Sequence, residues 1–201
     1  MIKLGLDFDN TIINYEDIFH KVALERGLIP ENLPPQKKII RQFLIEKNIE
    51  DEFTLIQAEV YGKRIMEAKP SNKIIESIIQ LKEEKMDIDI YIVSHKTKYP
   101  YKGPKYDLHD AAMRWLDKNN FFNKSGLDFE CNNIFFEISI NDKIKRIESL
   151  NLNYFIDDLP KILEMINSKC QRILYDPNQN LQQENQFLIL QNWENLNNLI
   201  F

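Results

Sequence analysis

Ile2-Lys3-Leu4-Gly5-Leu6-Asp7-Phe8-Asp9-Asn10-Thr11 is the stretch on which the fold turns. Its first five residues form a short, mostly apolar run that stops abruptly at acids. A run of that shape predicts a buried parallel strand whose C-terminal end opens onto a site, because strands covered on both faces read as nearly continuous apolar segments.

Four later segments have the same shape. Ile88-Asp89-Ile90-Tyr91-Ile92-Val93 ends in Ser94, and Asn133-Ile134-Phe135-Phe136-Glu137-Ile138 follows. Tyr154-Phe155-Ile156 ends in Asp157-Asp158, and Gln171-Arg172-Ile173-Leu174-Tyr175 runs into Asp176-Pro177. Helical periodicity alternates with them. Over 71–85, Ser71 offers a cap and Ile74, Ile75, Ile78, Ile79 and Leu81 share a face. Over 107–119, Leu108, Ala111, Ala112, Trp115 and Leu116 do the same, and 142–150 and 160–168 complete the alternation. Strands alternating with helices predict an α/β fold: a three-layer, Rossmann-like parallel sheet core with its chemistry at the strand C-termini.

One stretch breaks the rhythm. From Asn14 to Lys69 the pattern is helical only, roughly 15–27, 36–47 and 51–68, with Pro30, Pro34 and Pro35 between the first two. This predicts a small helical cap, residues 14–69, inserted after the first strand and lying over its end. Residues 1–13 and 70–201 then make the catalytic core. The tail from Asn178 is rich in Asn and Gln, yet Phe187 to Leu190, Trp193, Leu196 and Leu199 to Phe201 are too apolar for a free end. A final strand and helix are expected there.

Composition narrows the class. With 43% hydrophobic and 28% charged residues, the chain is expected to fold around a packed core rather than stay disordered. A formal net charge of −5 argues against non-specific nucleic-acid binding while leaving room for a small anionic substrate. Cys131 and Cys170 lie far apart without metal-ligand spacing and read as reduced, structural thiols. The N-terminal stretch before Asp7 is too short for a signal-peptide core, and no apolar run reaches membrane-spanning length. A cytoplasmic protein without membrane partners is expected.

Asp7 and Asp9 stand two apart, so on an extended strand their carboxylates point the same way. One can attack while the other exchanges protons with a leaving group. Taken alone, such a pair is also what a solvated acidic turn looks like. Asp7-Phe8-Asp9-Asn10-Thr11 at the head of an α/β chain, however, resembles the first motif of the haloacid dehalogenase-like (HAD) hydrolase superfamily, DxDx[TV] after a hydrophobic strand. The resemblance implies Asp7 as nucleophile and metal ligand. Asp9 would be the general acid and base, offering its backbone carbonyl to the metal, and Thr11 would brace the loop on the phosphate side.

Three further motifs are required in order, and candidates for each are present. Ser94 after Tyr-Ile-Val matches the second, its hydroxyl and the following N–H groups holding phosphoryl oxygens. Lys143, ahead of the strand at 154–156, matches the third, with Lys145 a rival; either would neutralise the phosphoryl group and the nucleophile together. Asp157-Asp158 resembles the fourth. Adjacent acids at a buried strand end are costly without a cation, and magnesium, which favours carboxylates and water, is the implied cofactor. Asp158 is the expected direct ligand, with Asp157 acting through water. The implied enzyme is a magnesium-dependent phosphoric monoester hydrolase working through an aspartyl-phosphate on Asp7. A phosphate-binding or regulatory module that keeps the fold is the alternative, and retention of Asp9 argues against it.

Residues 95–106, from His95 to Tyr106, are basic and aromatic and contain no acid. They form either a solvated loop or a substrate loop, with His95 and Lys96 as candidate substrate contacts. The cap adds Lys37, Lys38, Arg41, Lys63 and Arg64, most of them expected on solvated faces. The expected partner is a small phosphorylated metabolite, with sugar phosphates and nucleoside monophosphates both open.

Overall fold

The computed structural model of the chain describes residues 1–84, 87–124, 126–167, 169–179 and 186–200. Strands β1 (Ile2–Leu6), β2 (Ile13–Asn14), β3 (Lys69–Pro70), β4 (Ile88–His95), β5 (Ile134–Glu137), β6 (Tyr154–Asp157), β7 (Gln171–Tyr175) and β8 (Leu188–Leu190) occur in chain order. The α-helices are α1 (Glu16–Glu25), α2 (Lys37–Glu46), α3 (Glu50–Ala58), α4 (Ile74–Glu84), α5 (Leu108–Lys118), α6 (Ile140–Leu150) and α7 (Pro160–Met165). Among the described residues no helix is long and apolar enough to cross a membrane. The chain divides into two compact units.

The first unit comprises Met1–Ile13, Pro70–Lys96 and Asn119–Phe201. It holds a six-stranded sheet in the order β5-β4-β1-β6-β7-β8, every pairing parallel. β1 lies between β4 and β6, with Leu6 opposite both Ile92 and Ile156. The chain builds outward from β1 on one side and then returns to build on the other. Strand order therefore reverses at β1, the place where open α/β sheets present their ligand crevice.

Packing explains why β1 sits at the centre. Leu4 and Leu6 are fully buried. Gly5 leaves room for β6 to come close: a Cβ there would lie 2.5 Å from atoms of Leu152 and Phe155. Phe155 joins Ile144, Ile147, Ile162, Leu163 and Leu174 in one buried cluster that ties α6 and α7 to the sheet. The tail supplies the expected final strand, β8, followed by a 3-10 turn, Trp193–Asn198, that packs against α4. Phe201 and the ends expected for two helices, at residues 85 and 168, lie outside the described residues.

The second unit comprises Asn14–Lys69 and Thr97–Lys118. Thr97–Lys118, assigned to the core from sequence, therefore belongs with the inserted helices. The reason is local packing. Trp115 of α5 is fully buried, and its indole N–H donates to the Ala68 carbonyl at 2.9 Å. Tyr106 lies directly on Gly62, where a Cβ would come within 2.5 Å of it. The helix expected over 51–68 also differs: α3 stops at Ala58, a π-turn covers Glu59–Lys63, and a 3-10 turn covers Ile65–Glu67. Tyr15, Phe19, Phe53 and Tyr61 form the aromatic centre of the unit, with ring centroids 4.7 to 6.4 Å apart.

Candidate active site

Asp7 is the first residue beyond β1, and its N–H donates to the Ile156 carbonyl of β6 at 2.9 Å. The strand ladder thus carries through to the nucleophile candidate and fixes its backbone. β6 ends on Asp157, and Asp158 follows, so the switch point places three carboxylates together. Oxygens of Asp7, Asp157 and Asp158 lie within 4.8 Å of one another.

Lys143 joins this group from α6. Ser139 caps that helix by accepting from the Asp142 N–H at 3.1 Å, which sets where the first turn begins. Lys143 falls in that turn, almost completely buried, and donates from Nζ to Asp7 Oδ1 and to Asp157 Oδ2, each at 2.6 Å. Lys145, the alternative from sequence, is an exposed side chain 3.8 Å from Asp142. Periodicity on a helix separates the two: residues two apart cannot both face the sheet.

One ammonium serving two buried carboxylates leaves negative charge in excess, and the side chains register it. Burial works against the charge on Lys143, but Asp7 and Asp157 outweigh it and hold the ammonium above its usual range. Burial pushes the Asp157 carboxyl up to about 7; Lys143 opposes that, while Asp7 adds to it. These directions are compatible, because the ammonium has two anionic neighbours and the fully buried Asp157 carries the surplus. Asp157 also accepts from the Leu159 N–H at 2.9 Å. Asp158 accepts from the Asn10 side-chain amide at 3.4 Å. A cluster of hard oxygen donors short of positive charge could hold a metal ion.

The other expected residues fall as follows. Asp9 does not join the three-carboxylate cluster with its side chain. Its two oxygens each lie 2.8 Å from Nζ of Lys96, which is buried. Ser94 is buried and lies inside β4 rather than beyond it, because β5 pairs with Ser94 and His95 as well. His95 Nε2 lies 3.1 Å from the Ile138 carbonyl. Thr11 is fully buried; its carbonyl accepts from the Ser71 hydroxyl at 2.6 Å, and its own Oγ1 has no hydrogen-bond partner. In the second unit, Arg64 is ringed by Glu25, Glu59 and Glu67. Lys37 is hydrogen-bonded to the Tyr61 hydroxyl at 2.5 Å.

The Lys96–Asp9 pair is the feature that sequence reading missed. From sequence, Lys96 is a candidate substrate contact at the start of a loop that is either solvated or substrate-binding. The available signal was the spacing of Ser94 and Lys96: two residues apart on extended backbone point the same way, and the Lys96 N–H continues the β4–β5 ladder to the Glu137 carbonyl at 2.8 Å.

The fold is shared with haloacid dehalogenase-like hydrolases of known structure. A HAD-superfamily hydrolase from Ehrlichia chaffeensis superposes with a TM-score of 0.54 at 16% identity, covering 98% of this chain and 94% of that one. YfnB from Bacillus subtilis, solved bound to magnesium, gives 0.55 at 13% identity over 98% and 97% of the two chains. A phosphoserine phosphohydrolase-like protein from Francisella tularensis gives 0.52 at 15% identity over the whole of both. In sequence, the chain is similar to a protein named "Putative nucleotidase OB0422" from Oceanobacillus iheyensis. The two are 26% identical over 193 residues, which covers 87% of this chain and 86% of that protein. No protein-family model matches the chain.

Proposed function

We propose that this chain is a magnesium-dependent phosphatase that hydrolyses a small phosphomonoester through an aspartyl-phosphate on Asp7. The observation that carries this reading is the pairing of Asp7 with the buried Lys143 at 2.6 Å, inside a three-carboxylate cluster at the sheet's switch point. A nucleophilic carboxylate needs a cation beside it to accept an anionic phosphoryl group, and Lys143 is fixed there by burial and by its second bond to Asp157.

In this reading an Asp7 carboxylate oxygen attacks phosphorus, and the bond from phosphorus to the leaving oxygen breaks. Asp9 gives that oxygen its proton. A water then attacks the phosphorus, Asp9 takes the water's proton, and the acyl-phosphate bond breaks to free Asp7 and inorganic phosphate. Asp7, Asp157 and Asp158, with the Asp9 backbone carbonyl, would hold the magnesium ion, which supplies positive charge to the phosphoryl oxygens. Ser94 would hold a phosphoryl oxygen.

The nucleoside monophosphates are the favoured substrate class over sugar phosphates, on the strength of the relative whose name carries that activity. The test is phosphate release from an aryl phosphate and from panels of nucleoside monophosphates and sugar phosphates, with and without magnesium, in wild type and Asp7→Asn. Magnesium-dependent turnover that disappears in Asp7→Asn is expected. Turnover that survives the substitution, or no turnover across both panels, would reject the proposal.

A further inference from the structure

Lys96 is a buried cation with a single-minded geometry. Its side chain is 2% exposed, and Nζ stands 2.8 Å from both carboxylate oxygens of Asp9, which is itself 21% exposed. The ammonium lies 5.3 Å from the ring centroid of the fully buried Phe8, and Phe8 in turn packs edge-on against Phe136 of β5. Its own backbone is pinned to β5 through the Glu137 carbonyl. The lysine is therefore held from both ends, and a charge so placed is stable only when paired.

We propose that Lys96 is a positioning residue for Asp9: it fixes the carboxylate that exchanges protons with the leaving group and with water, and it does not hold the substrate phosphate. This rests on the phosphatase reading above. An aspartate beyond a strand end has two free side-chain torsions, and a cation gripping both oxygens removes that freedom before substrate arrives. The consequence is selective. Esters with alkoxide leaving groups need a well-placed acid, whereas a nitrophenolate leaves without one.

The test is a double-mutant cycle read as kcat/KM, which covers the steps up to departure of the leaving group. Lys96→Met keeps the stem against Phe8 and removes the charge, and Lys96→Arg keeps the charge. With a nucleoside monophosphate, Lys96→Met is expected to lose about 100-fold, and with p-nitrophenyl phosphate less than about 10-fold, within the usual span of general-acid contributions. Lys96→Arg should recover part of the loss. In an Asp9→Asn background, Lys96→Met should add almost nothing, and inhibition by inorganic phosphate should be unchanged. Equal losses on both esters with weakened phosphate inhibition would make Lys96 a phosphate ligand and overturn the proposal, as would full additivity with Asp9→Asn. If wild type hydrolyses no ester, the phosphatase reading fails on its own, and crystal structures of wild type and Lys96→Met decide the clamp. An Asp9 carboxylate unmoved in the variant overturns it, and one displaced or split between rotamers supports it.

Discussion

Asp157→Asn should make the metal-free protein more stable at neutral pH while removing one carboxylate of the proposed metal site. The buried carboxyl is pushed up to about 7 from an ordinary value of 3.8. Between those two values the folded chain keeps a proton that the unfolded chain has released. Stability therefore falls as pH rises from 3.8 through 7 and then levels. From pH 5 to pH 8 this single group accounts for a loss of about 3 kcal/mol, at about 1.4 kcal/mol for each pH unit spent between the two values. Asparagine cannot titrate and leaves Lys143 paired with Asp7 alone.

Urea unfolding in the presence of a chelator, at pH steps from 5 to 8, reads the effect. Wild type should lose stability across the window, and Asp157→Asn should lose about 3 kcal/mol less. The depressed carboxyls of Glu67, held at about 2 by Arg64, and of Glu25 and Asp107 do not interfere, because the small slope they add near pH 5 is the same in wild type and variant. Magnesium should erase the wild-type slope, since a bound dication supplies the missing positive charge. Identical slopes in wild type and variant would refute the reasoning, for the surplus negative charge would then not reside on Asp157.

Other expectations follow from particular contacts. Lys143→Met should lower metal-free stability by about 3 kcal/mol, because Asp7 and Asp157 are left buried without their ammonium, and magnesium should restore much of it in a thermal shift assay. Gly5→Ala should cost about 1–3 kcal/mol in chemical denaturation, since its methyl would sit 2.5 Å from Leu152 and Phe155 side-chain atoms in a packed core. Thiol titration at pH 8 should find Cys131 reactive and Cys170 protected until denaturant is added, because Cys131 is exposed whereas burial pushes the Cys170 thiol up to about 12.

Much of this protein is legible in its one-dimensional pattern. Short apolar runs ending in Asp7, Ser94 and Asp157 are parallel strands because a sheet covered on both faces tolerates only apolar residues until the chain emerges at its end. That logic determined the α/β class and the helical stretch that follows the first strand, while the roles given to the site residues came from the family resemblance. It could not choose between Lys143 and Lys145, since both are lysines near a helix start. The choice came from the Ser139 cap and the buried face of α6, which point one lysine at Asp7 and the other at solvent. Nor could local pattern show that Thr97–Lys118 packs with the inserted helices, because that depends on Trp115 reaching Ala68 and Tyr106 seating on Gly62, contacts between residues 44 or more positions apart. The Lys96–Asp9 pair spans 87 positions. Sequence determines which groups a chain can offer; only the folded sheet, by setting the ends of β1 and β4 side by side and burying Lys96 there, decides which opposite charges must meet.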